Sequence, residues 1–373
     1  MANNVSIIRC ADYDREAVFK AVTDAVDAAG GFDVAGKTVL LKPNMLATAD
    51  PDGAVTSQPE FLRAAIRLVR DRGASRILVG DSPAVQSGDS VGQKSGLKPV
   101  ALQEGAEWVD FSDSVEVAVP DGRLVKRFTI AKAVAQADCV ISLCRLKTHS
   151  FMYFTGAVKN MFGAIPGLQK SAFHLRFPGK REFGTMLADL MLAVKPSYAL
   201  MDAIVGMEGP GPRNGSPRQI GVVLAGANAC AVDWVASSIV GYNPLDIPYL
   251  REAATDPVYG FDPGSIEHSG VSPEQVCMHD FKLVPIVVND APRQKGPVGG
   301  LIRNLTVPRP FFSRERCVLC GACVKICPGS ALTIEPGRSG RKFIAVDYRK
   351  CVRCYCCHEV CPEDAIDLRR RPW

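Results

Sequence analysis

Eight of the fourteen cysteines fall into two runs of identical spacing near the carboxyl end. Cys317, Cys320, Cys323 and Cys327 precede Pro328 as C-x2-C-x2-C-x3-C-P, and Cys351, Cys354, Cys357 and Cys361 precede Pro362 in the same pattern. Two residues between ligands let a tight turn wrap three thiolates around one face of a [4Fe-4S] cubane, with backbone N–H groups pointing at the sulfurs. The proline after the fourth cysteine removes a donor and turns the chain out of a short helix, which aims that thiolate across the segment. Each cysteine lies 34 residues from its counterpart (351 − 317), and Ala331-Leu332-Thr333-Ile334 aligns with Ala365-Ile366-Asp367-Leu368 at the same offset. This is an internal duplication, whose halves pack about a pseudo-twofold axis and exchange their fourth ligands. Cys317, Cys320, Cys323 and Cys361 are therefore expected to hold one cluster, and Cys351, Cys354, Cys357 and Cys327 the other. Zinc is disfavoured, since zinc ribbons use paired C-x2-C units. Cys356 does not fit the spacing and reads as a bystander thiol, and the isolated Cys10, Cys139, Cys144, Cys230 and Cys277 read as small buried hydrophobes.

A second set of reactive side chains lies upstream. Lys42, Lys147 and Lys159, with His149 and His174, suit a cationic pocket for a carboxylate or phosphate. Asn44, Asp81 and Asn160 accompany them, and Gly156 and Gly163 would let backbone approach a ligand. A histidine or Glu208 is the expected proton donor. Asp202 reads as an acid/base group, a metal ligand or a turn cap, and Asp233 as a cap or a solvated carboxylate.

The elements that must position these groups alternate between short apolar strands and amphipathic helices, the pattern of an α/β domain with a largely parallel sheet. Strands are expected at residues 5–9, 38–42, 76–80, 139–144, 199–205 and 221–225, and helices at 14–29, 59–72, 183–194 and 230–240. The reactive residues follow strand ends, where an open parallel sheet forms its ligand crevice. Residues 1–300 form this domain, 301–310 a linker within the proline-rich stretch 289–312, and 311–373 a small α+β module with a hairpin at 332–346.

Composition excludes several classes. At 373 residues and 47% hydrophobic content the chain buries a real core. No apolar run suits a membrane span, and no basic-plus-apolar leader opens the chain, so a cytoplasmic location is expected. The net charge of +5 nearly vanishes against two clusters of roughly two negative charges each, so nucleic acid is not expected, and Arg369 to Arg371 read as a solvated tail. Neither G-x-G-x-x-G after a strand nor a Walker A sequence occurs.

Taken in order, Lys42-Pro43-Asn44, Gly80-Asp81-Ser82-Pro83, Lys147-Thr148-His149, Thr155-Gly156, Lys159-Asn160, Gly163 and Glu208-Gly209-Pro210-Gly211-Pro212 resemble the DUF362 family of uncharacterised iron-sulfur proteins, over roughly residues 37–243. The tail resembles the bacterial-type two-cluster ferredoxin module that many members carry. The resemblance implies an α/β domain paired with an electron-transfer tail. Two functions compete: an oxidoreductase that reduces a small anionic substrate or cofactor with electrons from a redox partner protein, and a non-catalytic carrier whose large domain docks a partner oxidoreductase.

Overall fold

The computed structural model describes residues 3–287, 306–337 and 340–370. The strand Thr38–Pro43 shows how the fold begins: Val39 and Leu41 enter one core while Leu40 enters another, so the sheet is covered on both faces. The nine-stranded sheet runs in the order Glu267–Gly270, Asn4–Arg9, Ser216–Gly226, Tyr198–Glu208, Cys139–His149, Thr38–Pro43, Arg76–Val79, Glu107–Trp108, with Tyr153–Thr155 paired to the end of Cys139–His149. Pairing is parallel from Tyr198–Glu208 through to Glu107–Trp108, and antiparallel where Ser216–Gly226 meets its two neighbours.

Helices cap as expected. Asp14 accepts from the N–H of Ala17 at 3.0 Å to start Arg15–Ala28, and Pro59 opens Pro59–Asp71, after which the chain reverses at Gly73 with φ +83°. Three strands run longer than their apolar cores: Cys139–His149, Tyr198–Glu208 and Ser216–Gly226 are eleven residues each. Their polar ends stay in the sheet because they still find partners, Lys147 opposite Thr155 and Glu208 opposite Ser216. The hairpin Ser114–Ala118 with Arg127–Ala131, and the helices Gln169–Arg176 and Pro248–Thr255, add elements not expected from sequence.

In the small module, Leu332–Pro336 pairs antiparallel with Lys342–Val346, as expected, although residues 338–339 of the turn lie outside the described residues. The strand Arg309–Phe312 pairs with Ile366–Arg369, so Arg309 and Pro310 belong to the module and not to a linker, while 301–305 lie outside the described residues, as does Arg371. Two short helices, Ala322–Ile326 and Cys356–Val360, occupy equivalent places in the duplication. The module sits against the large domain: Ala84 and Val85 pack on Ile326, Val352, Cys354 and Cys356, and the amide of Asn214 donates to the carbonyl of His358 at 3.4 Å. Among the described residues no helix is long and apolar enough to cross a membrane.

Candidate functional site

The strand Cys139–His149 carries the site. Arg145, Lys147 and His149 alternate with Leu146 and Thr148, so the three basic side chains leave one face of the strand. Arg145 is buried and ties the segment after Thr38–Pro43 to the strand Tyr198–Glu208: its guanidinium donates to the carbonyls of Pro51 and Thr56 and to that of Val205. Lys147, two residues on, donates to the carbonyl of Val55 at 2.9 Å and to the amide oxygen of Asn44. Its ammonium and the His149 ring open into a cavity of about 720 Å³, mouth included, together with Asn44, Asp81, Lys159, Asn160, Lys170 and His174.

Two expected site residues stand elsewhere. Lys42 does not line the cavity; it is fully buried behind the wall, pairing with Asp81 at 2.7 Å and donating to Asn160 at 3.2 Å. Asp81 also accepts from the backbone N–H of Met45 and Ser82, both at 2.8 Å, so its carboxylate is committed to the protein. Gly163 makes room for this pair, since a Cβ there would lie 2.0 Å from the Asp81 carboxylate and 2.7 Å from the Lys42 ammonium. A Cβ at Gly156 would likewise stand 2.1 Å from Asp233. Both glycines thus leave room for buried carboxylates; Gly163 also lines the cavity, as expected of a backbone that approaches a ligand, whereas Gly156 does not.

Glu208 is also outside the cavity. Its carboxylate accepts from the Lys282 N–H at 3.0 Å and pairs with the Lys282 ammonium at 3.3 Å, which leaves it no route to a ligand in the cleft. Asp202 is buried, accepting from the Tyr13 hydroxyl at 2.8 Å and lying 3.7 Å from Arg145. Asp233 caps the turn at Ala157–Asn160 through the N–H groups of Ala157 and Val158, and it is buried, not solvated.

Residues missed in the sequence come from the small module. Its helix Cys356–Val360 sends Cys356 and Glu359 into the cleft, and Ile326 joins them. Glu359 stands 3.4 Å from Nε2 of His149. A signal existed: at the 34-residue offset Ala322 becomes Cys356 and Lys325 becomes Glu359, so the second repeat departs from the first at the positions that face the cleft.

Burial governs the charge of this site. It holds Lys147 and Lys170 down to about 7, Arg145 and Lys159 adding to the effect at Lys147, and it pushes Glu359 up to about 7 against the pull of Lys159 and Lys147. His149 is held well below its usual value by burial and then by Lys159, and His174 falls to about 3 for the same reasons. His174, only 4% exposed, stacks on Phe183 at 4.3 Å, yet its Nδ1 has no hydrogen-bond partner among the described residues, nor has Oε1 of Glu359. An unmet buried polar atom costs about 1–3 kcal/mol. His174→Phe is therefore expected to raise stability by about 1 kcal/mol in denaturant unfolding while weakening whatever the cleft binds. A loss of stability in that variant would mean that the ring is satisfied in place.

Two further cavities lie within the module. One is lined by Cys317, Cys320, Cys323 and Cys361, with Phe312, Ile344 and Ile366, and the other by Cys327, Cys351, Cys354 and Cys357, with Pro310 and Leu332. Among the described residues no three His, Cys, Asp or Glu side chains converge as a single metal ion would require. Four thiols spread around an apolar-walled space are instead the donor set that a cubane fits. Cys356 lines the second of these cavities as well as the cleft.

Comparison with known proteins agrees with this division. Residues 39–238 match the model of a domain of unknown function, DUF362, and residues 316–365 match a 4Fe-4S dicluster domain, which supports iron-sulfur clusters and an electron-transfer role. A thylakoid-associated protein of Synechocystis sp. is 30% identical over 295 residues, covering 77% of this chain and 90% of that protein. The lactate racemase apoprotein from Thermoanaerobacterium thermosaccharolyticum aligns with a TM-score of 0.39 at 16% identity, over 62% of this chain and 57% of its own. A protein from Thermotoga maritima aligns with a TM-score of 0.34 at 12% identity, over 55% and 53%. The chain thus spans little more than half the length of these two solved structures. With more than half of its residues in the matched domain and the dicluster module behind it, the chain belongs to the DUF362 family.

Proposed function

We propose that this protein is an iron-sulfur oxidoreductase that reduces a small anionic substrate in the cleft between its two domains. Two [4Fe-4S] clusters would be held by Cys317, Cys320, Cys323 and Cys361, and by Cys351, Cys354, Cys357 and Cys327. When bound, such clusters supply electrons one at a time. The observation that carries the reading is the position of Cys356, which lines the cleft on one side and the Cys351 cavity on the other. A carrier whose large domain only docks a partner has no need of a buried cationic cleft against its own module.

The chain's own residues have separable tasks. Lys147, Lys159 and Lys170 attract and orient the anion, and Nδ1 of His174 offers it a further polar contact. Glu359 stands 3.4 Å from Nε2 of His149, so a small side-chain movement brings the pair to proton-sharing distance at the cleft wall. Met45, Phe162 and Ile326 supply apolar wall around them. Fourteen cysteines with no disulfide among them suit a reducing compartment, and we place the activity in the cytoplasm with a redox partner protein as donor.

Calorimetric screening of small carboxylates and phosphates against the anaerobic holoprotein tests the proposal. At least one should bind, and Lys147→Met and Lys159→Met should each weaken it about tenfold or more. Binding by no anion, or equal binding by both variants, would return the protein to the carrier reading.

Acidity supplies a second test. Lys147 and Lys170 lose their protons near about pH 7, and Glu359 gains its negative charge over the same range. Every one of these changes opposes an anion, so affinity should be highest below about pH 7 and fall as pH rises through it. A flat profile between about pH 6 and pH 8 would remove these groups from the binding site.

A further inference from the structure

The two thiol cavities are not equivalent. The Cys351 set adjoins the buried cleft, whereas the Cys317 set reaches the surface: Cys320 is the one exposed thiol of the eight, and Val318 beside it is 61% exposed. On that outer side a groove of about 780 Å³ runs between the segment from Phe311 to Leu319 and the strand Lys342–Val346. Phe312, Cys317, Leu319 and Ile344 line both the groove and the Cys317 cavity, so only side chains of this layer separate an occupant from the thiols.

The lining of the groove combines apolar surface with one sign of charge. Phe311, Phe343 and Tyr348 supply aromatic faces, and Arg314 and Lys342 are exposed at its rim, with no acidic side chain in the lining. Arg314 lies over the Phe343 ring at 4.4 Å, which holds its charge against the groove. Aromatic and arginine anchors inside a charged rim are the composition of a protein contact, and the positive charge of Arg314 and Lys342 in the lining favours an acidic partner and steers its approach.

We infer that this groove is the docking surface for an acidic one-electron carrier protein, which meets the module at the Cys317 side, at a surface that shares no lining residue with the cleft. The inference rests on the cluster reading but not on catalysis in the cleft. It gives the duplicated module a direction: partner at the groove, substrate at the cleft.

The test uses the full-length holoprotein and a flavodoxin of strongly acidic surface as probe, with affinity followed by calorimetry at low and high ionic strength. The wild type should bind and lose affinity as salt rises. Lys342→Glu alone should weaken binding several-fold and Arg314→Glu with Lys342→Glu about tenfold or more, with iron content and visible absorbance unchanged. Arg181→Glu, an exposed change on the large domain, and Lys147→Met in the cleft should leave the affinity as it was. Unchanged affinity in both groove variants, equal loss in Arg181→Glu, or no binding by the wild type at low salt would each overturn the proposal. So would saturation of the groove by free flavin mononucleotide with no response to the carrier. If Lys147→Met abolishes anion binding while carrier affinity persists, the two readings stand separately; absent iron would sink the cluster reading before any docking is measured.

Discussion

Cys361→Ala is expected to remove the cluster built on Cys317, Cys320 and Cys323, not the one built on its own run, and to lower iron from about eight to about four per chain. The thiol of Cys361 lies in the cavity of the first run and that of Cys327 in the cavity of the second. Cys361→Ala and Cys320→Ala should therefore leave the same residual electron paramagnetic resonance signal on reduction. Cys327→Ala and Cys354→Ala should leave the other. If Cys361→Ala matches Cys354→Ala, the ligand exchange is wrong and each run closes its own cluster.

Lys42→Met should destabilise the large domain by about 3–5 kcal/mol, because it strands a buried carboxylate without its counter-ion. Asp81 would keep only the two N–H donors from Met45 and Ser82, in a site that is 5% exposed. Anaerobic denaturant unfolding of the two proteins at neutral pH measures the loss. A loss well under about 1 kcal/mol with weakened anion binding would instead return Lys42 to the ligand site, where its sequence position had placed it.

That contrast shows what was legible in the residues and what was not. Period-two alternation, helix caps and the 34-residue repeat are local patterns, and the sheet, its principal helices and the pairing of thiols into two groups follow from them. Convergence of Asn44, Lys147, His149, Lys159, Asn160 and His174 was also readable, because strand ends of a parallel sheet share one edge. Direction was harder. Lys42 and Lys147 both close an apolar strand, yet one points behind the wall to Asp81 and the other into the cleft, a difference set by partners remote in sequence. Glu208 was misplaced for the same reason, since Lys282 claims it across a long separation. The extension of Cys139–His149 was hidden because its basic residues resemble a loop, although Arg145, Lys147 and His149 already alternate with Leu146 and Thr148. The repeat marks Cys356 and Glu359 as departures from Ala322 and Lys325, but no local pattern says which face of the module meets the large domain, so they were missed as site residues.

Anion-dependent reoxidation of the reduced holoprotein tests the central claim most directly. The protein would be reduced anaerobically, its visible absorbance followed after addition of small carboxylates and phosphates, and the same measurement made on Lys147→Met and Lys159→Met with iron content matched. The account predicts that at least one anion accelerates reoxidation and that both variants lose the acceleration while retaining about eight irons. Reoxidation unaffected by every anion, or accelerated equally in the variants, would contradict it.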